Sequence, residues 1–379
     1  MTDTGDAALP NTGRQFNFDF IKMIIIFGLV FVHLYERCFL LEDYSVSHIG
    51  FDTVESGIST IVEFADGTIG ACMFMFCLGV GLVYSRRKTA GFLFKRAWVM
   101  LAAAFGLALL TNTISLTILS QINQNPSLFE QGIWWLFCSD ILNFAFLTFL
   151  FFSLVRKFKI PNIIVLAVPV ILLIIAAFIP KMLFPDNIIA SDLIGWFVFQ
   201  DNGYSFFPFM QWLIFPAAGY VFAQALQKTN SREKFYGWVM LTGAAAFALI
   251  TAVSVLCGID IATFFSSHNG CIYNKTLLSA LWSLSFSLFW AALIFFLTRK
   301  VKQDSRLHRF AEKTSRRITV FYCLQWIIIG FLGFWIFPAL NMMPLNLIQY
   351  FTAAVIIIIV CYLLSGLILK KVQKKRIKE

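Results

Sequence analysis

Apolar runs of about twenty residues recur along the whole chain, each closed by charged residues or by a cluster of Pro, Gly and Asn. Twenty residues at 1.5 Å rise match a hydrocarbon core roughly 30 Å thick, and inside lipid the backbone must satisfy its own hydrogen bonds. Such runs therefore fold as membrane-spanning helices. The pattern predicts an all-α, polytopic integral membrane protein with about ten spans, near 18–41, 58–84, 94–119, 132–155, 161–184, 206–226, 236–257, 276–298, 317–338 and 347–369. Only 13% of the 379 residues are charged and 59% are hydrophobic, which excludes an ordinary soluble domain. One transmembrane domain is expected over 1–379, with a short polar N-terminus at 1–17 and a basic tail at 370–379.

The formal net charge of +10 reads as a topology signal. Nearly all Lys and Arg fall at the termini or in alternate connections, such as Arg86-Arg87-Lys88, Arg156-Lys157 and Arg299-Lys300. By the positive-inside rule both termini are expected in the cytoplasm, and no nucleic acid is implied as a partner. Residues 1–17 lack the pattern of a cleavable signal, so the first span is expected to stay in place. The eight cysteines are scattered, with no Cys/His cluster at zinc-ligand spacing, so no metal is expected. Asn274-Lys275-Thr276 forms a glycosylation sequon on a predicted outer loop.

Ionisable groups inside a span are costly and mark function or interhelical pairing. The stretch Phe18–Leu41 carries Asp19, Lys22 and His33. The eleven positions from Lys22 to His33 close three turns with about 20° left over, so both side chains share one helix face roughly 16 Å apart. Arg37 extends the stripe. Glu63 and Asp66 open the second span, Asp140 and Asn143 stand one turn apart in the fourth, and His48 lies in the predicted outer loop Glu42–Gly57. The connection Ser85–Arg96 concentrates Arg86, Arg87, Lys88, Lys95 and Arg96, either for ligand phosphates or for lipid headgroups. From Phe184 to Pro208 aromatics mix with acids and amides, a composition that suits a carbohydrate or an interfacial aromatic belt. Gly79 and Gly81 permit close helix packing. The isoleucine-rich tenth span can face lipid or, in a homodimer, a second subunit. No P-loop, nucleophile elbow or zincin helix is present. These residues alone leave three readings open: an enzyme, a transporter or flippase using the same charges, and a scaffold in which they are salt bridges.

The first span narrows the choice. DFIKMIIIFGLVFVH resembles the opening helix of the transmembrane acyltransferase superfamily, which includes acyltransferase family 3 and the heparan-α-glucosaminide N-acetyltransferase group. That pattern is an acid, a basic residue three positions on, and a His or Asn eleven later. Asp19, Lys22 and His33 match it, with Lys22 in place of the usual Arg. CMFMFCLGVGLVYSRR, FKRAWVMLAAAFGL, SDILNFAFLTF, YSFFPFMQWLIFPAAGYVFA (with Trp212) and SRRITVFYCLQWIIIG follow in the expected order. In the last of these Gln325 stands where a His is common.

The resemblance implies transfer of an acyl group, often acetyl, from cytoplasmic acetyl-CoA or another acyl-CoA to a hydroxyl or amine of an extracytoplasmic saccharide acceptor, at a bacterial plasma membrane. His33 would serve as general base or transient acyl carrier, with His48 as its rival and Asp66 positioning the acceptor or tuning the imidazole. Lys22, Asp19, Arg86, Arg87, Lys95 and Arg96 would hold the donor. Lys22 keeps the charge of an arginine but loses its bidentate fork. Asp140, Asn143, Trp212 and Gln325 would contact the acceptor.

Overall fold

A computed structural model of the chain describes residues 11–39, 49–184, 187–201, 205–267 and 272–378, with side chains to 372. Its regular structure is helical. Among the described residues the sole β contact is an isolated bridge between Ser139 and Ser205. Of the described residues, eight helical stretches are long and apolar enough to cross a membrane: Phe16–Phe39, Val54–Tyr84, Ala90–Ile122, Phe209–Lys228, Arg232–Leu256, Leu277–Thr298, Ile318–Ala339 and Leu347–Val372.

The other two expected spans are shorter. Residues 132–155 do not form one helix: α6 (Pro126–Phe137) stops before Asp140, which caps a new helix, α7 (Ile141–Lys157). Asp140 accepts from the Ile141 amide at 2.6 Å, and Asn143 Oδ1 in turn accepts from the Asp140 amide at 3.2 Å. This is a reciprocal cap of the first-turn orphan amides. The fifth expected span is α8 (Asn162–Ala176), 15 residues long and ended by turns well before residue 184.

Helix α1 (Phe16–Leu34) runs through the middle of the bundle. Around it lie α3 (Ala71–Tyr84), α13 (Leu277–Thr298), α15 (Ile318–Phe331) and α17 (Leu347–Lys378). Outside these, α4 (Ala90–Ala108) pairs with α7, α11 (Ile214–Lys228) with α3, and α12 (Arg232–Leu256) with α13. The α3–α11 contact is close because each helix presents a glycine to the other's backbone. A Cβ on Gly79 would collide with the Pro216 carbonyl, and one on Gly219 with that of Phe76. Packing is thus the role of Gly79, while Gly81 is open except for Lys22 Nζ, 3.9 Å from where a Cβ would sit.

The short polar helix α14 (Arg306–Arg316) docks on α1 where that helix begins. His308 stacks on Phe16 with ring centroids 4.3 Å apart, and Phe310 meets Phe27 at 6.0 Å. This end of the bundle is called proximal below, and the end where α1 finishes, distal.

At the distal end, four of the spanning stretches swell into π-helical turns: Tyr35–Phe39, Ala65–Gly70, Leu109–Thr113 and Leu332–Ile336. A π turn holds one residue more than an α turn and re-aims the side chains around it, and such turns gather at functional sites.

Candidate active site

Three of these π turns line a distal cavity of about 720 Å³. His33 reaches it from the last turn of α1, with Glu36 and Arg37 from the π turn that follows. Asp66 comes from the second π turn and Thr111 and Asn112 from the third. Asp140 and Asn143 stand at the start of α7, and Tyr322 and Trp326 project from α15. Gln200, Asp201, Phe206, Phe207 and Tyr273 line the opposite wall, so the segment with the mixed aromatic, acid and amide composition borders this space. Arg37 is held among aromatic rings, 4.9 Å from the Phe334 centroid and 5.5 Å from that of Trp135, and its guanidinium hydrogen-bonds Asn112 Oδ1.

His33 is held by one stacked ring, one edge-on ring and a contact at one nitrogen. Trp326 stacks on it at 4.0 Å, Tyr322 meets it edge-on at 5.9 Å, and Gln325 Nε2 lies 3.2 Å from Nδ1. The pair is satisfied by either orientation of the amide, with Nε2–H donating to a bare Nδ1 or Oε1 accepting from Nδ1–H. The second orientation leaves the Nε2 lone pair to the cavity, which is what a proton acceptor needs.

The acids differ in their engagement. Asp140 caps α7 and accepts from the Tyr322 hydroxyl, 3.2 Å from each carboxylate oxygen. Glu63, next to Asp66 on the same helical stretch, accepts from the Ser267 amide at 3.1 Å and so ties an interhelical loop down. Behind Asp66 the fully buried Lys275 donates to the Phe264 carbonyl at 2.7 Å and to Ser283 Oγ at 3.3 Å, and burial pushes its ammonium below the ordinary lysine value.

A second cavity, of about 340 Å³, opens at the proximal end. Its walls are mainly apolar, from α3, α4 and α7, and its cationic lining residues are Lys22 and Arg96. Two residues, Ile141 and Tyr322, line both cavities.

Of the residues expected at a site, His33, Asp66, Asp140 and Asn143 line the distal cavity, and Lys22 and Arg96 the proximal one. Arg86, Arg87 and Lys95 are exposed beside the proximal cavity and do not line it; Arg87 lies over Phe92, which does. Asp19 lines neither cavity. Its carboxylate takes Arg14 Nε at 2.5 Å and Nη2 at 2.7 Å, and Ser315 Oγ at 2.7 Å, fastening α1 to α14. Trp212 also lines neither: it is fully buried, its indole donating to the Tyr273 carbonyl at 3.0 Å. Gln325 is fully buried behind His33 and touches the imidazole rather than the cavity. His48 lies outside the described residues. Charge and spacing do not mark Tyr322 and Trp326, although one face of α15 carries Tyr322, Gln325 and Trp326 at helical spacing, nor do they mark Asn112, which the π turn directs inward.

Compared with curated proteins and with solved structures, the chain matches none of either. The sequence model of acyltransferase family 3, described as an acyltransferase domain, matches residues 15–366. That match takes in every residue assigned above to the two cavities, and the eight apolar helices make the protein integral to a membrane. The chain belongs to acyltransferase family 3 and is a membrane acyltransferase.

Proposed function

We propose that the protein moves an acyl group, acetyl in the simplest case, from cytoplasmic acyl-CoA to a hydroxyl or amine of a saccharide on the far side of a bacterial plasma membrane. The positive-inside bias of the connections supports a cytoplasmic proximal end, with α7 and α8 as the two shorter spans of about ten. Acyl-CoA then occupies the proximal cavity. Its pantetheine arm lies along the apolar walls, Lys22 and Arg96 meet the polar part, and the exposed Arg86, Arg87 and Lys95 take the nucleotide phosphates by charge-assisted hydrogen bonds. The acceptor occupies the distal cavity, where aromatic faces suit sugar rings and Asp140, Asn143, Gln200 and Asp201 suit their hydroxyls.

His33 Nε2 takes the proton of the acceptor hydroxyl or amine as that atom attacks the thioester carbonyl. The C–S bond breaks, and the departing thiolate receives a proton from the imidazolium, so no net proton is stored. Base catalysis of this kind contributes about 10²–10⁴-fold. Asp66 steers the acceptor toward His33.

The observation that carries the reading is a positioned imidazole in one cavity with a basic, apolar-walled cavity abutting it from the other end. Calorimetry of detergent-purified protein with acetyl-CoA tests it. Saturable binding that weakens at least tenfold in Lys22→Ala and Arg96→Ala and survives in His33→Ala is expected, together with loss of acetyl transfer in His33→Ala. Folded wild-type protein that binds neither acetyl-CoA nor longer acyl-CoAs would overturn it.

A further inference from the structure

Tyr322 occupies an unusual place. It lines the distal and the proximal cavities alike, its ring packs edge-on against His33 on the distal side and lies 6.3 Å from Phe74, a wall of the proximal cavity, and its hydroxyl is tied to Asp140. Ile141, the other residue common to both cavities, follows Asp140 directly and belongs to the same wall. The partition is thus a phenol and a branched aliphatic side chain, and the phenol is held by a hydrogen bond to the residue that caps α7.

We infer that Tyr322 is the residue that keeps the enzyme a transferase rather than a hydrolase, by closing the passage between the cavities until an acceptor is seated. The inference rests on the two-cavity reading of the preceding section. A thioester in the proximal cavity faces an apolar wall, while the distal cavity has His33, Asp66, Asp140 and Asn143 on its walls and is large enough to hold many water molecules. With the partition open and no acceptor present, water takes the acceptor's place: its oxygen bonds to the acyl carbon, His33 accepts its proton, the C–S bond breaks, and the products are a free carboxylic acid and CoA thiol. Such exclusion of water from a reactive group is a recognised use of a closing side chain. The Tyr322–Asp140 bond is suited to release, because an acceptor hydroxyl entering beside Asp140 competes for the same carboxylate oxygens and frees the phenol to swing from the passage.

The test is thiol release from acetyl-CoA without acceptor, measured on purified wild type and on Tyr322→Ala, Tyr322→Phe and Ile141→Ala, with acetyl-CoA affinity measured by calorimetry on the same preparations. Wild type should release thiol slowly. At saturating acetyl-CoA Tyr322→Ala should release it at least tenfold faster, and Ile141→Ala should do the same to a smaller extent. Tyr322→Phe keeps the ring and loses the tether, so its release should rise a few fold. Unchanged release in Tyr322→Ala protein that still binds acetyl-CoA overturns the inference and leaves the acyl-CoA reading intact; if Tyr322→Ala does not fold, unchanged release in both Tyr322→Phe and Ile141→Ala overturns it equally. Wild type that binds no acyl-CoA fails the two-cavity reading instead.

Discussion

Gln325 and His33 are linked by a contact of 3.2 Å between the amide nitrogen and Nδ1, in a place where Gln325 has no exposed surface. The imidazole therefore reaches the cavity with only one nitrogen uncommitted. Gln325→Leu keeps approximate volume and removes the partner, leaving Nδ1 buried against a methyl group. Transfer should fall by about one to two orders of magnitude, a fraction of a full base contribution. Acetyl-CoA affinity should hold, because the change is remote from the proximal cavity. Steady-state kinetics beside calorimetry checks both.

Asp19 and Lys22 should separate in their effects. Asp19→Asn weakens the clasp of Arg14 and Ser315 between α1 and α14. A loss of about 1–3 kcal/mol, the usual range for a buried polar group deprived of its partners, is expected as a lower thermal midpoint in detergent, with acetyl-CoA affinity kept. Lys22→Ala should show the reverse, weak binding at nearly unchanged stability.

Gly79 and Gly219 set the separation of α3 from α11, so a methyl group at either must push two backbones apart. Gly79→Ala and Gly219→Ala are each expected to cost about 1–3 kcal/mol, the range for overpacking. Gly237→Ala on α12, where an added Cβ meets nothing within 4 Å, is the matched control and should leave the thermal midpoint within a degree or two.

Asn274 should carry no glycan despite its sequon. Its Oδ1 accepts from Gln211 Nε2 at 2.8 Å, and the adjoining Tyr273 carbonyl accepts from the Trp212 indole. The acceptor amide is used in joining a loop to the start of the stretch Phe209–Lys228. Mass spectrometry after expression in a glycosylating host should find Asn274 unmodified, and Asn274→Ala should lower stability by about 1 kcal/mol.

The membrane-spanning class and the apolar segments were legible because both depend on hydrophobic runs, which a sequence displays directly. The Lys22–His33 stripe was legible for a related reason: helical periodicity places both residues on one face, and the structure puts a cavity at each end of it. Other features depend on geometry that periodicity does not encode. The sequence pattern carries WWLFCSDILNFAF through as one span, yet Asp140 and Asn143 satisfy each other's backbone and end one helix to begin the next. Trp212 reads as a binding aromatic within its motif, but burial and a carbonyl partner make it a packing residue. Tyr322 carries no charge and sits in an apolar helix, so its helical spacing from Gln325 and Trp326 is the one sign it leaves in the sequence. Only the meeting of α15 with α1 and α7 gives it a place in both cavities.

A π turn is an α turn with one residue inserted. Excising a single residue from each of the four distal turns would restore regular helices of the same span and composition, while rotating every side chain beyond each excision by about 100°. With α1, α3 and α4 held in place, it is the distal side of each turn that would rotate, and Glu36, Arg37, Asp66 and Asn112 would point elsewhere. The charged and amide lining that Glu36, Arg37, Asp66 and Asn112 give the distal chamber thus depends on single-residue insertions, beside the α7 cap and the loops that complete its wall. If the acceptor sits in this chamber, as proposed, its choice can drift through length changes at these turns while the end of the molecule that carries Lys22 and Arg96 stays as it is.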